Sequence, residues 1–262
     1  TDRAGNVSAP VSVDIGVHTN VPAPTVNGLF GGDAILNIVE AAGPLTLSGS
    51  TGITNGSNQY VTVQIDIGGV TYTASVNNSI WTVNLPAGAL QSLDPSNPHA
   101  IIVTAEDQYG NKTSESVGFN VDFTVPTVQI TSSIFGDGYV NNAEYTHSGT
   151  TVTQLSGTFT TSPLYLTGAK VTVTIGSQSF DADITGNSWV LNVSASDWQS
   201  ITERGQTNIL VTVTDGGKNS GTTSAPVIIQ ITEPTVSVTT LFAGDGKLSY
   251  LESQTAQTIT GN

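Results

Sequence analysis

The chain repeats itself, and that limits what it can fold into more than any single motif does. Three segments follow one pattern: LFGGDAILNIVE (29–40), IFGDGYVNNAE (134–144) and LFAGDGKLSYLE (241–252). Asp33, Asp137 and Asp245 stand 104 and 108 residues apart, and Glu40, Glu144 and Glu252 keep the same intervals. Each copy follows a Pro-Thr-Val beginning at Pro24, Pro126 or Pro234. Each precedes an apolar, Ser/Thr, Gly triplet ending at Gly49, Gly157 or Gly261. NNSIWTVNL (77–85) answers GNSWVLNV (186–193), which sets Trp81 and Trp189 108 residues apart. TDRAGN (1–6), EDQYGN (106–111) and TDGGKN (214–219) complete the pattern. Repetition at a fixed interval means one structural unit used several times. Residues 23–124 and 125–232 are two whole units, 1–22 are expected to be the last strand of a preceding one, and 233–262 begin a following one. The chain is an array rather than a two-domain enzyme.

Within a unit the period is two. YVTVQIDI (60–67), VTYTASV (70–76), IWTVNL (80–85) and AIIVTAED (100–107) alternate or run apolar over strand lengths. The second unit matches them with AKVTVTIG (169–176), SFDADI (179–184), SWVLNV (188–193) and NILVTVTD (208–215). Only ALQSLD (89–94) and SASDWQS (194–200) suggest a helical turn. About seven short strands per unit predicts an all-β protein of tandem immunoglobulin-like β-sandwich domains in a linear array. Trp81 and Trp189 are expected to fill the two cores; an exposed, sugar-stacking role is the alternative.

Composition restricts the partners. Six basic residues against 20 acidic ones give a net charge of −14. Such a surface repels nucleic acid and anionic membranes and attracts cations. No apolar run approaches the length of a membrane span, so no direct membrane insertion is expected. The absence of cysteine removes disulfides and thiolate metal sites.

Taken together, D-x-x-G-N before the last strand, V-D-F-T-V-P (121–126), and G-D-G with N-x-x-E resemble the bacterial immunoglobulin-like repeats of giant surface adhesins. Those are the RTX-type and biofilm-associated proteins secreted by type I systems, and the resemblance covers essentially the whole chain. It implies export to the bacterial cell surface, calcium-dependent folding outside the cell, and repeats that act as an extender for a distal binding domain. Cell adhesion or biofilm formation would be the purpose.

The sandwich topology leads separately to a cation. The connection after a unit's first strand lies at the trailing end of the domain, and the hairpin before its last strand lies at the leading end. Asp33, Asn37 and Glu40 of one repeat should therefore face Asp215 and Asn219 of the next, with Asp122 in the linker. Clustered carboxylates repel one another, and a hard cation removes that repulsion. Calcium suits carboxylate, amide and carbonyl oxygens, and extracellular modules hold it at ~0.1–1 mM. Asp137, Asn141 and Glu144 repeat the set at the next junction, where Gln230 stands in the place of Asp122 and Glu233 is the candidate substitute. In the third copy, which carries Asp245 and Glu252, Ser249 replaces the asparagine. Asp14 with Asp107 and Asn111 would make a looser site at the first linker, and Asp2 is the equivalent of Asp107 in the preceding repeat. The expected partners are therefore calcium ions and neighbouring repeats. The plain alternative is that these residues only shape turns. An EF-hand is excluded by ligand order and length.

No catalytic constellation stands out. His18, His99 and His147 occupy non-equivalent positions, and no G-x-S-x-G occurs. The same acids recur in every copy, which points to a structural ion rather than a catalytic pair. Two further readings are a module that itself binds carbohydrate or a partner protein, and an accessory array of a secreted glycosidase.

Overall fold

The computed structural model describes residues 1–53, 61–146 and 154–262; Tyr60 and His147 lie outside them. Residues 1–125 with 217–219 form one compact unit, and residues 126–216 with 220–262 form another.

The strands of the first unit are β1 (Ile35–Asn37), β2 (Leu45–Ser50), β3 (Val61–Ile67), β4 (Val70–Thr73), β5 (Ser75–Asn77), β6 (Ile80–Leu85), β7 (His99–Asp107) and β8 (Lys112–Asp122). A short helix, α1 (Ile38–Ala42), follows β1 directly. One sheet has the order β1-β8-β7-β3-β4 and the other β2-β6-β5. The second unit is built from β9 (Thr127–Ile130), β10 (Tyr139–Val140), β11 (Gln154–Thr160), β12 (Lys170–Ile175), β13 (Gln178–Asp181), β14 (Asp183–Thr185), β15 (Ser188–Asn192), β16 (Gly205–Thr214) and β17 (Ser220–Ile229). Two helices accompany them, α2 (Asn142–Thr146) and α3 (Ala195–Ser200). The orders here are β10-β17-β16-β12-β13 and β14-β15-β11-β9. Each unit is thus an all-β immunoglobulin-like sandwich whose two sheets share one buried cluster.

The alternation read from the sequence is the burial pattern. Val63, Ile65 and Ile67 of β3 face the core, while Thr62 and Gln64 face water. In β16 Ile209, Val211 and Val213 do the same. One expectation needs correction. VTYTASV is two strands, because the chain changes sheets at Ala74: β4 pairs with β3, whereas β5 pairs with β6. SFDADI divides in the same way around Ala182. At both breaks one backbone N–H still reaches the first sheet, from Ala74 to Val63 O and from Ala182 to Val171 O, each 2.9 Å. The break therefore leaves no stranded donor.

Trp81 and Trp189 are fully buried, so neither offers a sugar-stacking face. Trp81 stands across the ladder from Gly49 and donates its indole N–H to Thr25 O at 2.9 Å. Trp189 stands across from Gly157 and donates to Gln129 O at 3.2 Å. The repeated glycine follows from this. A Cβ on Gly49 would sit 1.8 Å from Thr25 O, and one on Gly157 1.9 Å from Gln129 O.

SASDWQS forms α3, capped by Ser194 and Asp197, whereas ALQSLD makes only successive turns. Residues 1–20 are exposed and carry no strand, in contrast to the last strand expected within 1–22. A strand is defined by its pairing, and no ladder is offered to this segment. Within 233–262 a short pair, β18 (Val238–Thr240) and β19 (Thr260–Gly261), forms. Among the described residues no helix is long and apolar enough to cross a membrane.

Candidate cation site

The recurring Asp–Asn–Glu segment has one local structure, built from hydrogen bonds to its own backbone. In the first unit Asp33 Oδ1 accepts from Ile35 N at 2.9 Å. Asn37 caps α1, its Oδ1 accepting from Val39 N and Glu40 N, while Glu40 Oε2 accepts from Asn37 N at 3.1 Å. This reciprocal arrangement is a capping box. The second unit repeats it: Asp137 Oδ1 accepts from Tyr139 N, Asn141 Oδ1 from Ala143 N and Glu144 N, and Glu144 Oε2 from Asn141 N. In the third copy Asp245 accepts from Lys247 N, Glu252 Oε2 from Ser249 N, and Ser249 Oγ from Glu252 N. Serine, like asparagine, can accept from a nearby backbone N–H, so the reciprocal bonds with the glutamate survive the replacement. The N-x-x-E spacing was itself a capping-box signature, a meaning the ligand reading of the sequence missed.

A strained residue introduces each copy. Phe30, Phe135 and Phe242 have φ of 48°, 46° and 46°, where bulky side chains are rare. Packing holds the first two in place: Phe30 meets Phe119 edge-on at 5.1 Å, and Phe135 meets Trp198 at 5.0 Å.

The parallel pairing of β1 with β8 brings the acidic segment to the end of the last strand. Asn37 lies opposite Asp122 in that ladder. Asn219, which packs with the first unit, donates from Nδ2 to Asp122 O at 3.0 Å and accepts from Ile38 N at 3.1 Å. Gly217 leaves room for the Asp122 carboxylate, since a Cβ there would lie 2.5 Å from Oδ2. Asp33, Asn37, Glu40, Asp122 and Asn219 thus belong to one end of the first unit. In the second unit β10 pairs with β17 in the same sense, and Gln230 N donates to Val140 O at 2.9 Å. Asn142 Nδ2 donates to Glu233 Oε1 at 2.7 Å. Asp137, Asn141, Gln230 and Glu233 line a shallow cleft at that end.

The D-x-x-G-N turns close on themselves. Asp107 Oδ1 accepts from Tyr109 N and Asn111 N, and its Oδ2 accepts from Asn111 Nδ2. Asp2 and Asn6 reproduce this bond for bond. Burial pushes the Asp107 carboxyl up, but hydrogen bonds from Asn111 and Tyr109 together outweigh it, and it titrates below the usual range. In the third version Lys218 rather than glycine takes the positive φ, at 69°. Its Asp215 is fully buried in the second unit and accepts from Thr161 Oγ1 at 3.1 Å. Asp14 is exposed.

Among the described residues no three acidic or histidine side chains gather as a ready metal cluster. Asp33, Glu40, Asp107, Asp137 and Glu144 are turned toward backbone amides of their own segments. What the fold brings together instead is one acid pair per unit. Burial raises the Glu40 carboxyl, which the Asn37 N–H lowers and the negative charge of Asp33 raises further. Glu144 is raised by burial and by Asp137 in the same way, with Asn141 N–H opposing. Carboxylate oxygens beside amide and carbonyl oxygens fit a hard cation and not zinc or copper.

No protein-family model matches the chain, and no curated protein matches it. Solved structures do resemble it. A 1.5-MDa bacterial ice-binding adhesin, studied for its retention on the host cell surface, is 22% identical with a TM-score of 0.42, over 84% of this chain and 69% of that one. A Ca2+-stabilised adhesin that helps an Antarctic bacterium reach out and bind ice is 26% identical with a TM-score of 0.44. That match covers 84% of this chain and 52% of the other, so this chain spans about half its length. A bacterial immunoglobulin-like domain of the M. primoryensis ice-binding adhesin is 29% identical with a TM-score of 0.29, over 40% of this chain and 100% of that one.

Proposed function

We propose that this chain is part of the extending array of a bacterial cell-surface adhesin, and that calcium taken up at the trailing end of each repeat stiffens it. The observation that carries the reading is the acid pair rebuilt in each complete unit, Asp33 with Glu40 and Asp137 with Glu144, its glutamate raised by burial and by the neighbouring aspartate. A part-buried glutamate with an aspartate in the same short segment is a place where a divalent cation would offset the negative charge. In the first repeat Asp33, Asn37, Glu40, Asp122 and Asn219 would hold the ion. In the second, Asp137, Asn141, Glu144 and Glu233 would do so, and Asp245 and Glu252 would serve a third. Asp215 and Asp107 with Asn111 are the remaining candidates; Asp14 and Asp2 would complete a looser site. The bound ion neutralises these carboxylates and supplies the cross-link; the protein residues orient it.

The resemblance of the repeat motifs supports location outside the cell and export by a type I system. There, calcium near ~1 mM would fill sites of the strength typical of extracellular modules. The test is a calcium titration followed by small-angle scattering and thermal melting. Chelation should lower the melting temperature and broaden the distribution of particle dimensions. If both are the same with calcium and with excess chelator, the stiffened-extender reading is wrong.

A further inference from the structure

The two complete repeats present the same acidic segment on different supports. In the first, the residue after the glutamate is Ala41, which is buried. In the second it is Tyr145, and Arg204 lies over its ring with Cζ 5.1 Å from the centroid. Arg204 Nη2 donates to the Tyr145 hydroxyl at 3.2 Å, while Nη1 donates to Ile201 O at 2.9 Å and Glu203 O at 2.6 Å. The guanidinium is therefore fixed to the chain just after α3 and grips α2 from there. A second contact runs the same way. Phe135, the strained residue opening the segment, packs edge-on against the fully buried Trp198 of α3 at 5.0 Å. In the first repeat the corresponding Phe30 packs on Phe119 of β8, and the ALQSLD stretch supplies turns rather than a helix.

We infer that Arg204 and Tyr145 form a brace that positions the Asp137–Glu144 segment of the second repeat. The inference rests on the cation reading above and deepens it. The second repeat carries Gln230 where the first carries Asp122, so its third carboxylate would have to come from Glu233, which already accepts from Asn142 Nδ2. A segment already held in place gives up less conformational freedom on binding, and pre-organisation of that kind offsets the lack of an aspartate at that place. An arginine suits the task because its planar fork serves two carbonyls and a hydroxyl while its face stacks on the ring.

Hydrogen exchange of the whole chain in excess chelator tests the brace without any ion. Amides of α2 should exchange more slowly than those of α1. Arg204→Ala should speed α2 exchange about tenfold and leave α1 unchanged. Arg204→Lys, which keeps the charge over the ring but loses the fork, should recover part of the protection. Terbium provides the second readout, because Tyr139 and Tyr145 can sensitise its luminescence at the second repeat, once Tyr109→Phe and Tyr250→Phe have removed the tyrosines beside the other candidate acids. Arg204→Ala should move that titration to about tenfold higher terbium. Unchanged α2 exchange in Arg204→Ala overturns the brace. Faster exchange with an unmoved terbium midpoint overturns its positioning role. If the chain that keeps Arg204 shows no terbium titration, the cation reading fails and the positioning role fails with it, while the exchange arm still decides whether the brace exists.

Discussion

At the scale of single residues, Asn37 and Glu40 each have two roles that experiment can separate. As a cap, Asn37 satisfies two helix N–H groups, so Asn37→Ala should destabilise the first repeat by about 1 kcal/mol. Asn37→Ser should cost much less, since Ser249 already fills this position in the third copy; chemical denaturation measures both. Glu40 and Glu144 titrate above the ordinary glutamate value of about 4.3, raised by burial and then by the nearby aspartate, against one backbone N–H. A raised carboxyl favours the folded state when protonated. The stability linked to these groups is therefore full below the unfolded value and is lost as pH rises through the folded one. In excess chelator these groups should raise the melting temperature as pH falls from about 7 to about 4. Glu40→Gln with Glu144→Gln should abolish that climb, and should also abolish the stabilisation that calcium gives the parent chain. A flat melting profile in chelator across that range would contradict the acid-pair argument.

At the scale of elements, the tightest constraint lies where β2 meets β6 and where β11 meets β15. Each crossing puts a glycine between a buried indole and a backbone carbonyl. Gly157→Ala places a methyl where Gln129 O already stands, so β9 must move off β11. A loss of about 3 kcal/mol or more in the second repeat is expected, near the upper end for overpacking, with the first repeat's transition unchanged. Trp189→Phe removes the indole bond to Gln129 O and part of the core volume, and should cost somewhat less. Stepwise urea unfolding followed by fluorescence distinguishes the repeats. The short helices α1 and α2 are also explained at this scale. Five residues do not make a stable helix alone; the capping box and the adjoining parallel strand hold each one.

At the scale of the whole molecule, the repeats share a plan, and besides the Arg204 contact they differ at a position that bears on their ion affinity. Asn37 lies opposite Asp122, while the equivalent ladder ends at Val140 opposite Ile229 and Gln230 donates its N–H to Val140 O. Gln230→Asp should tighten calcium binding at the second repeat and lower its stability in chelator, because another carboxylate joins an acid pair. Calorimetric titration reads the first effect and melting the second. Asp122→Asn should do the reverse in the first repeat. A chain of −14 charge should also respond to ionic strength. Added salt screens the repulsion among its acids, so the difference in melting temperature between calcium and chelator should narrow at about 1 M salt.

The sequence alone determined the repeat, the sandwich class and the residues that recur. Strand period, turn chemistry and exact spacing are local properties, and they are written in order along the chain. The burial of Trp81 and Trp189 and the inward faces of β3 and β16 were legible for the same reason. Tertiary structure alone decided what the recurring residues touch. The glycines of the first two triplets, Gly49 and Gly157, are explained only by a carbonyl and an indole distant in sequence. The sheet change at Ala74 and Ala182 depends on which neighbour the backbone finds, and no side-chain alternation marks it. The paired acids, read as a converging ligand set, prove to be turned first toward their own backbone, because unsatisfied amides at a helix start are nearer than any other partner. The contact of Arg204 with Tyr145 joins residues 59 positions apart; no local pattern announces a pairing that folding alone brings about.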